Sequence, residues 1–178
     1  RSKFHLVLIP RHPHRASEIT EILDEKKLSY KIFSDALNLN SDITLVVETG
    51  NNAMITSCFL GRKLIDDLNT EHLKVLWDPA NALYCGENPS KNALDSMEGG
   101  YLGHVHMKDV EVSIHQATIE CVALGRGQMS PHLQAISDRL NAIGYDGSMS
   151  LESVYRPSDG DFEDGFNASI EKFKSLYS

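Results

Sequence analysis

The sequence is sparing with cysteine. It has three, at positions 58, 85 and 121, far apart and odd in number, and no CxxC pair occurs. That excludes a zinc–thiolate site and a disulfide framework, and favours reduced, buried thiols in a cytoplasmic protein. Long apolar runs are missing too. None approaches the ~18 residues a membrane helix requires, and the N-terminus lacks the apolar stretch of a signal peptide. Positive charge is in deficit: 17 Lys and Arg against 25 Asp and Glu give a formal net charge of −8. Such a chain repels phosphate backbones, so nucleic acid is not an expected partner. There is no low-complexity segment and no internal repeat. The first residue is Arg rather than Met, which suggests trimming or excision from a longer chain.

What is present suits a single globular domain. The 178 residues are 41% hydrophobic and 24% charged, enough to bury a sizeable core. Short apolar runs alternate with segments of helical period. Residues 4–9 (FHLVLI) predict a buried strand, followed by a helix capped by Ser17 with Ile19, Ile22 and Leu23 on one face. Further strands are expected at 30–33, 44–47, 73–77, 101–105 and 148–151. Helices are expected at 55–68, at 130–143 and at 161–178. In the second of these Ser130 caps, Pro131 opens and Gly144 stops the helix. The last carries an apolar stripe of Phe166, Ile170, Phe173 and Leu176.

This alternation specifies an α/β fold with parallel βα units. About six strands are expected, where a closed barrel needs eight and about 250 residues. The expectation is a partial, half-type TIM barrel or an open doubly wound sheet. Unpaired strand edges tend to associate, so a homo-oligomer is the alternative to an open sheet.

Four polar residues share one structural position. Glu48, Asp78, His106 and Glu152 each end a strand-like run at its C-terminal edge. In a parallel α/β sheet those edges form one rim, where ligands bind. Taken singly, each carboxylate is equally a helix N-cap or a loop residue, and His106 a core histidine. Together, three carboxylates on one rim need a cation to be tolerated. Two Glu, one Asp and one His suit Mn²⁺, Mg²⁺ or Co²⁺, with Zn²⁺ admissible.

The segments LVVET (45–49), WDPAN (77–81), HVHMKD (104–109), ALGRGQMS (123–130) and GYDGSMSLES (144–153) follow in order. From about residue 44 to residue 178 they resemble the sugar phosphate isomerase/epimerase family of xylose-isomerase-like TIM barrels. The resemblance implies one divalent metal held by Glu48, Asp78, His106 and Glu152, and a small sugar or sugar phosphate as ligand. It implies enediolate proton transfer, with Glu48 and Glu152 as base and acid facing each other across the substrate. It also sets Asn81, His104, Lys108 and Asp109 near the substrate, Lys108 as an oxyanion or phosphate contact. A solvated surface lysine is the plain alternative for Lys108. Gly125 and Gly127 are read as permitting a tight backbone.

The ketose 3-epimerases of that family carry a His, a Glu and an Arg where this chain has Asn81, Met54 and Val112. The metal site is therefore expected more firmly than any one reaction. The first segment differs. Its PRHPHR (10–15) resembles the C-terminal domain of bacterial Kdo transferases, which implies nucleotide contacts from Arg11 and His12; a basic turn after a strand is the plain alternative. Two resemblances meeting near residue 46 suggest one α/β domain with a fusion joint there. Three functions stay open: a metal-dependent isomerase/epimerase, an inactive α/β fragment keeping only the metal site, and a nucleotide-sugar-binding piece of a glycosyltransferase.

Overall fold

A computed structural model of the chain describes residues 6–8, 30–32, 45–50, 54–71 and 73–177. The chain divides into two compact units, Arg1–Leu45 and Val46–Ser178. In the first, β1 (Leu6–Leu8) and β2 (Tyr30–Ile32) pair in parallel, with Leu6 opposite Tyr30 and Leu8 opposite Ile32. The helix expected after Ser17 lies outside the described residues, as do Arg11 and His12.

The remainder is built on a four-stranded parallel sheet of order β3-β4-β5-β8. Its strands are β3 (Leu45–Glu48), β4 (Leu73–Trp77), β5 (Leu102–Met107) and β8 (Met149–Leu151). Val105 stands opposite Trp77 on one side and Met149 on the other. Helix α1 (Cys58–Leu68) links β3 to β4, and the short α2 (Pro79–Tyr84) follows β4. Helix α3 (Leu133–Ala142) precedes β8, and α4 (Phe162–Tyr177) closes the chain. The strand–helix order is that of a partial TIM barrel.

Side-chain alternation divides the sheet into two faces. Val75, Trp77, Val105 and Met107 are fully buried. Their face is the one the helices cover: a Cβ on Gly61 of α1 would come within 2.6 Å of Val75 Cγ2. Burying each such side chain contributes roughly 1.5–3 kcal/mol. Lys74 and Leu76 alternate with this set in β4, and His104 and His106 in β5; all four are half-buried on the opposite face. The sheet thus has an apolar side facing helices and a polar side that carries the rim.

Three details differ from expectation. Between β5 and α3 the chain forms an antiparallel hairpin, β6 (Asp109–Ser113) with β7 (Thr118–Val122). The six parallel strands expected are all present, and this hairpin adds two. Ser130 does not cap a helix. Ser130–His132 forms a 3₁₀ turn with no side-chain cap, and α3 begins at Leu133. Proline supplies no N–H to cap, and the tighter turn satisfies His132 N–H on Met129 O at 2.8 Å. Finally, Phe166 of the expected α4 stripe is exposed, and Gly165 and Ser169 are the buried positions. Gly165 lies so close to the Tyr155 carbonyl that a Cβ there would overlap it. That approach fixes which side of α4 faces inward. Among the described residues no helix is long and apolar enough to cross a membrane.

Candidate metal centre

Asp78 is the first residue past β4 and the N-cap of α2. Its Oδ1 accepts the N–H groups of Ala80 and Asn81, both at 3.0 Å. Pro79 fits the first helical position, where no N–H is needed. Only Oδ2 remains for other work. The N-cap and ligand readings of this carboxylate are therefore compatible, one oxygen for each. Thr49, fully buried beside it, receives the Asp78 N–H on Oγ1 at 2.9 Å and donates back to the Asp78 carbonyl at 3.4 Å.

His106 rises from β5 on the polar face, opposite Ser150 of β8. Glu48 ends β3. Glu152 follows β8 directly, its N–H bonded to Met107 O at 2.9 Å. The four side chains meet: one ligand atom from each lies within 4.8 Å of every other. Their exposures differ in a useful way. The Asp78 side chain is 0% exposed and His106 22%, whereas Glu152 is 33% and Glu48 44%. Asp78 and His106 form the floor of the cluster, and the two glutamates its open side.

The donor set fits a divalent cation. Oδ2 of Asp78 and Nδ1 of His106 are buried atoms whose neighbours are charged side chains of the same cluster. Nδ1 approaches Glu48 Oε1 at 3.4 Å and Glu152 Oε2 at 3.8 Å, both at ion-pair range. Oδ2 lies 2.6 Å from the Lys108 ammonium. Three carboxylate oxygens and one imidazole nitrogen would hold Mn²⁺, Mg²⁺, Co²⁺ or Zn²⁺.

The electrostatics show how crowded the charges are. Burial pushes the Asp78 carboxyl up to about 6, although Lys108 pulls it back. His106 is raised by its interaction with Glu48 foremost, against the pull of burial, with Glu152 and Asp78 adding to it. Burial also acts on Glu152, but Lys108 outweighs it and holds this carboxyl below its ordinary range. Lys108 is raised, burial being overcome by Asp78 and Glu152.

The other expected residues divide. Lys108 is in the cluster, its Nζ 2.6 Å from Asp78 Oδ2 and 2.6 Å from Glu152 Oε2. His104 stands on the same face, its ring edge-on to that of His106 with centroids 5.2 Å apart. Ser148 and Ser150 brace its two nitrogens at 3.0 and 2.8 Å. Burial, and then His106, lower its basicity. Asn81 is tied to the framework, its Nδ2 donating to the Thr49 carbonyl at 3.1 Å.

Asp109 is not brought to the open side at all. It is fully buried. Its Oδ1 accepts from Val110 and Met129 at 2.9 and 2.8 Å, and its Oδ2 from Gly125 and Gly127 at 2.9 and 3.0 Å. It anchors the LGRG turn. A Cβ on Gly127 would lie 2.5 Å from Asp109 Oδ1, and Gly125 has φ +86°, so both glycines serve the tight backbone. Sequence reasoning missed Thr49, Ser148 and Ser150. The serines carried a signal, since 148, 150 and 152 share one face at period two.

A rim of acidic and histidine side chains on parallel βα units is a candidate divalent-cation site. The model of the xylose isomerase-like TIM barrel family matches residues 9–176, and the chain belongs to that family. The match runs through residue 46, and the comparisons lend no support to the glycosyltransferase resemblance of the first segment. No curated protein matches. Among solved structures the chain is similar to D-allulose 3-epimerase from Methylomonas sp. (20% identity, 75% of this chain, 49% of that one, TM-score 0.58). It is also similar to a xylose isomerase domain protein from Planctomyces limnophilus (20%, 97% of this chain, 57% of that one, TM-score 0.56). A third is 3-keto-D-glucoside 4-epimerase from E. coli (18%, 89% and 50%, TM-score 0.55). The chain spans about half the length of these relatives.

Proposed function

We propose that the chain is a divalent-metal-dependent sugar or sugar phosphate isomerase/epimerase-like protein, with Mn²⁺ the preferred ion. The observation that carries this is the convergence of Glu48, Asp78, His106 and Glu152 with ligand atoms within 4.8 Å. Asp78 and His106, the less exposed pair, would hold the ion. Glu48 and Glu152, the more exposed pair, would also face the substrate. When bound, the ion supplies Lewis-acid stabilisation of the negative charge that develops on the substrate oxygens. One glutamate takes the proton next to the carbonyl, and the other returns it from the opposite face. His104, braced by two serines, offers a polar contact on the same face of the sheet. The sugar relatives and the position of the rim support this reading.

Two measurements test it. Calorimetric titration of metal-free protein with Mn²⁺ should give one site, lost in Asp78→Ala. The loaded protein should then exchange the proton next to the carbonyl of a ketose with deuterated water, seen by NMR, and Glu48→Gln or Glu152→Gln should abolish the exchange. Failure to bind Mn²⁺ sinks the whole reading. Binding without exchange leaves an α/β fragment that keeps only the ion site.

A further inference from the structure

We infer that Lys108 is a built-in counter-ion: it holds the Asp78 and Glu152 carboxylates together in the ion-free protein and is displaced when a divalent ion enters. The inference rests on the metal-site reading above and adds a competition to it.

The geometry is specific. Asp78 Oδ2 and Glu152 Oε2 are two oxygens of the cluster, and the Lys108 ammonium lies 2.6 Å from each. The lysine side chain is only 11% exposed and the Asp78 side chain 0%, so water does little to screen either charge. Without a cation the cluster concentrates three carboxylates around buried atoms, which is unfavourable. Lys108 neutralises part of that charge from within the same chain. It is placed to do so by its position directly after β5, two residues past His106.

An incoming ion needs the same oxygens. Ligand oxygens sit ~2.0–2.2 Å from such ions, inside the shell the ammonium now occupies. Two positive centres sharing both oxygens would repel each other strongly in a poorly screened site. The lysine stem has four rotatable carbons and can swing the ammonium away. Ion entry therefore breaks two ion pairs and frees a cation at the mouth of the site, where it can face a substrate oxyanion or phosphate. The apparent affinity for the ion is the intrinsic affinity reduced by the cost of ejecting Lys108.

The test uses the full chain, stripped of metal and titrated with Mn²⁺ alone. Lys108→Met keeps the length and apolar stem and removes the charge. It should bind Mn²⁺ about tenfold or more tightly than the parent, since losing two charged contacts removes the competitor. Its ion-free thermal midpoint should fall by roughly 4 °C, and the fall should vanish once Mn²⁺ is added. A second measurement needs no variant. Amine acetylation read by peptide mass spectrometry should label Lys108 slowly in ion-free protein and several-fold faster in Mn²⁺-loaded protein. Equal or weaker Mn²⁺ binding by Lys108→Met, or labelling that does not accelerate, overturns the inference. If the parent itself fails to bind Mn²⁺, the metal-site reading has failed instead, and the two failures are distinct.

Discussion

Asp109→Asn is the sharpest perturbation the structure offers, because it keeps size and shape and changes one atom. The carboxylate accepts four backbone N–H groups, two on each oxygen, at 2.8–3.0 Å. An amide turns one of those oxygens into a donor. Whichever way it is oriented, two backbone N–H groups, buried or part-buried, then face an NH₂ instead of an acceptor. Hydrogen bonds to a charged group contribute roughly 1.5–3 kcal/mol each, and an unsatisfied buried donor costs a similar amount. Allowing for relaxation, the loss is about 4 kcal/mol, a large part of the ~5–15 kcal/mol that holds a domain together. Trp77, the single tryptophan and fully buried, reports unfolding by fluorescence. In urea, with m near ~2 kcal/mol/M, the midpoint should drop by about 2 M in ion-free protein. The Mn²⁺ stoichiometry should survive, since no metal-cluster side chain is among the four bonds. A midpoint shift below about 0.5 M together with weakened sugar binding would refute the anchoring argument and return Asp109 to the substrate.

Ion affinity should depend on pH through the protons that must leave. Asp78, raised to about 6, and His106, raised above its usual range, both carry protons in mildly acidic solution. Mn²⁺ affinity should therefore climb as pH rises through about 6 and on past the ordinary imidazole range, with measurable proton release, and a flat profile would contradict it. The stability linkage has the same origin. Both groups bind protons more tightly when folded, so their contribution is full below the unfolded values (3.8 for Asp78) and is lost as pH rises through the folded ones. Thr49→Val removes the hydroxyl that receives the Asp78 N–H, and should weaken Mn²⁺ binding by about 10–100-fold while the ion can still bind. An unchanged dissociation constant by calorimetry would show that Asp78 needs no such support.

What the sequence discloses about this site follows from what a strand does to side chains. Glu48, Asp78, His106 and Glu152 were legible because each occupies the end of an apolar run, and in parallel βα units those ends share one rim whatever the loops between them do. The β6–β7 hairpin was not legible as readily. Its strands are mostly half-buried or exposed and joined by a 3₁₀ turn, so the pattern carries little burial to read. Ser130 shows a different limit. A Ser–Pro pair signals a helix start, but whether the first turn is α or 3₁₀ depends on which carbonyl the next N–H reaches, and here that is Met129.

The case of Asp109 is the most instructive, because the sequence did contain the answer. In HVHMKD the residues His104 and His106 fall on one side of β5 at period two and Val105 and Met107 on the other, and Lys108 and Asp109 continue the same alternation of half-buried and buried positions into β6. His104, His106 and Lys108 are half-buried. Val105, Met107 and Asp109 are fully buried. A resemblance assigns roles by proximity along the motif and so places the whole string beside the substrate. Alternation assigns them by face, and it separates a lysine that meets two carboxylates from an aspartate that meets four amides. The adjacent Lys108 and Asp109 are opposite charges with opposite tasks. One completes the charge balance of the rim, and the other holds the LGRG turn under it; only the backbone period tells them apart.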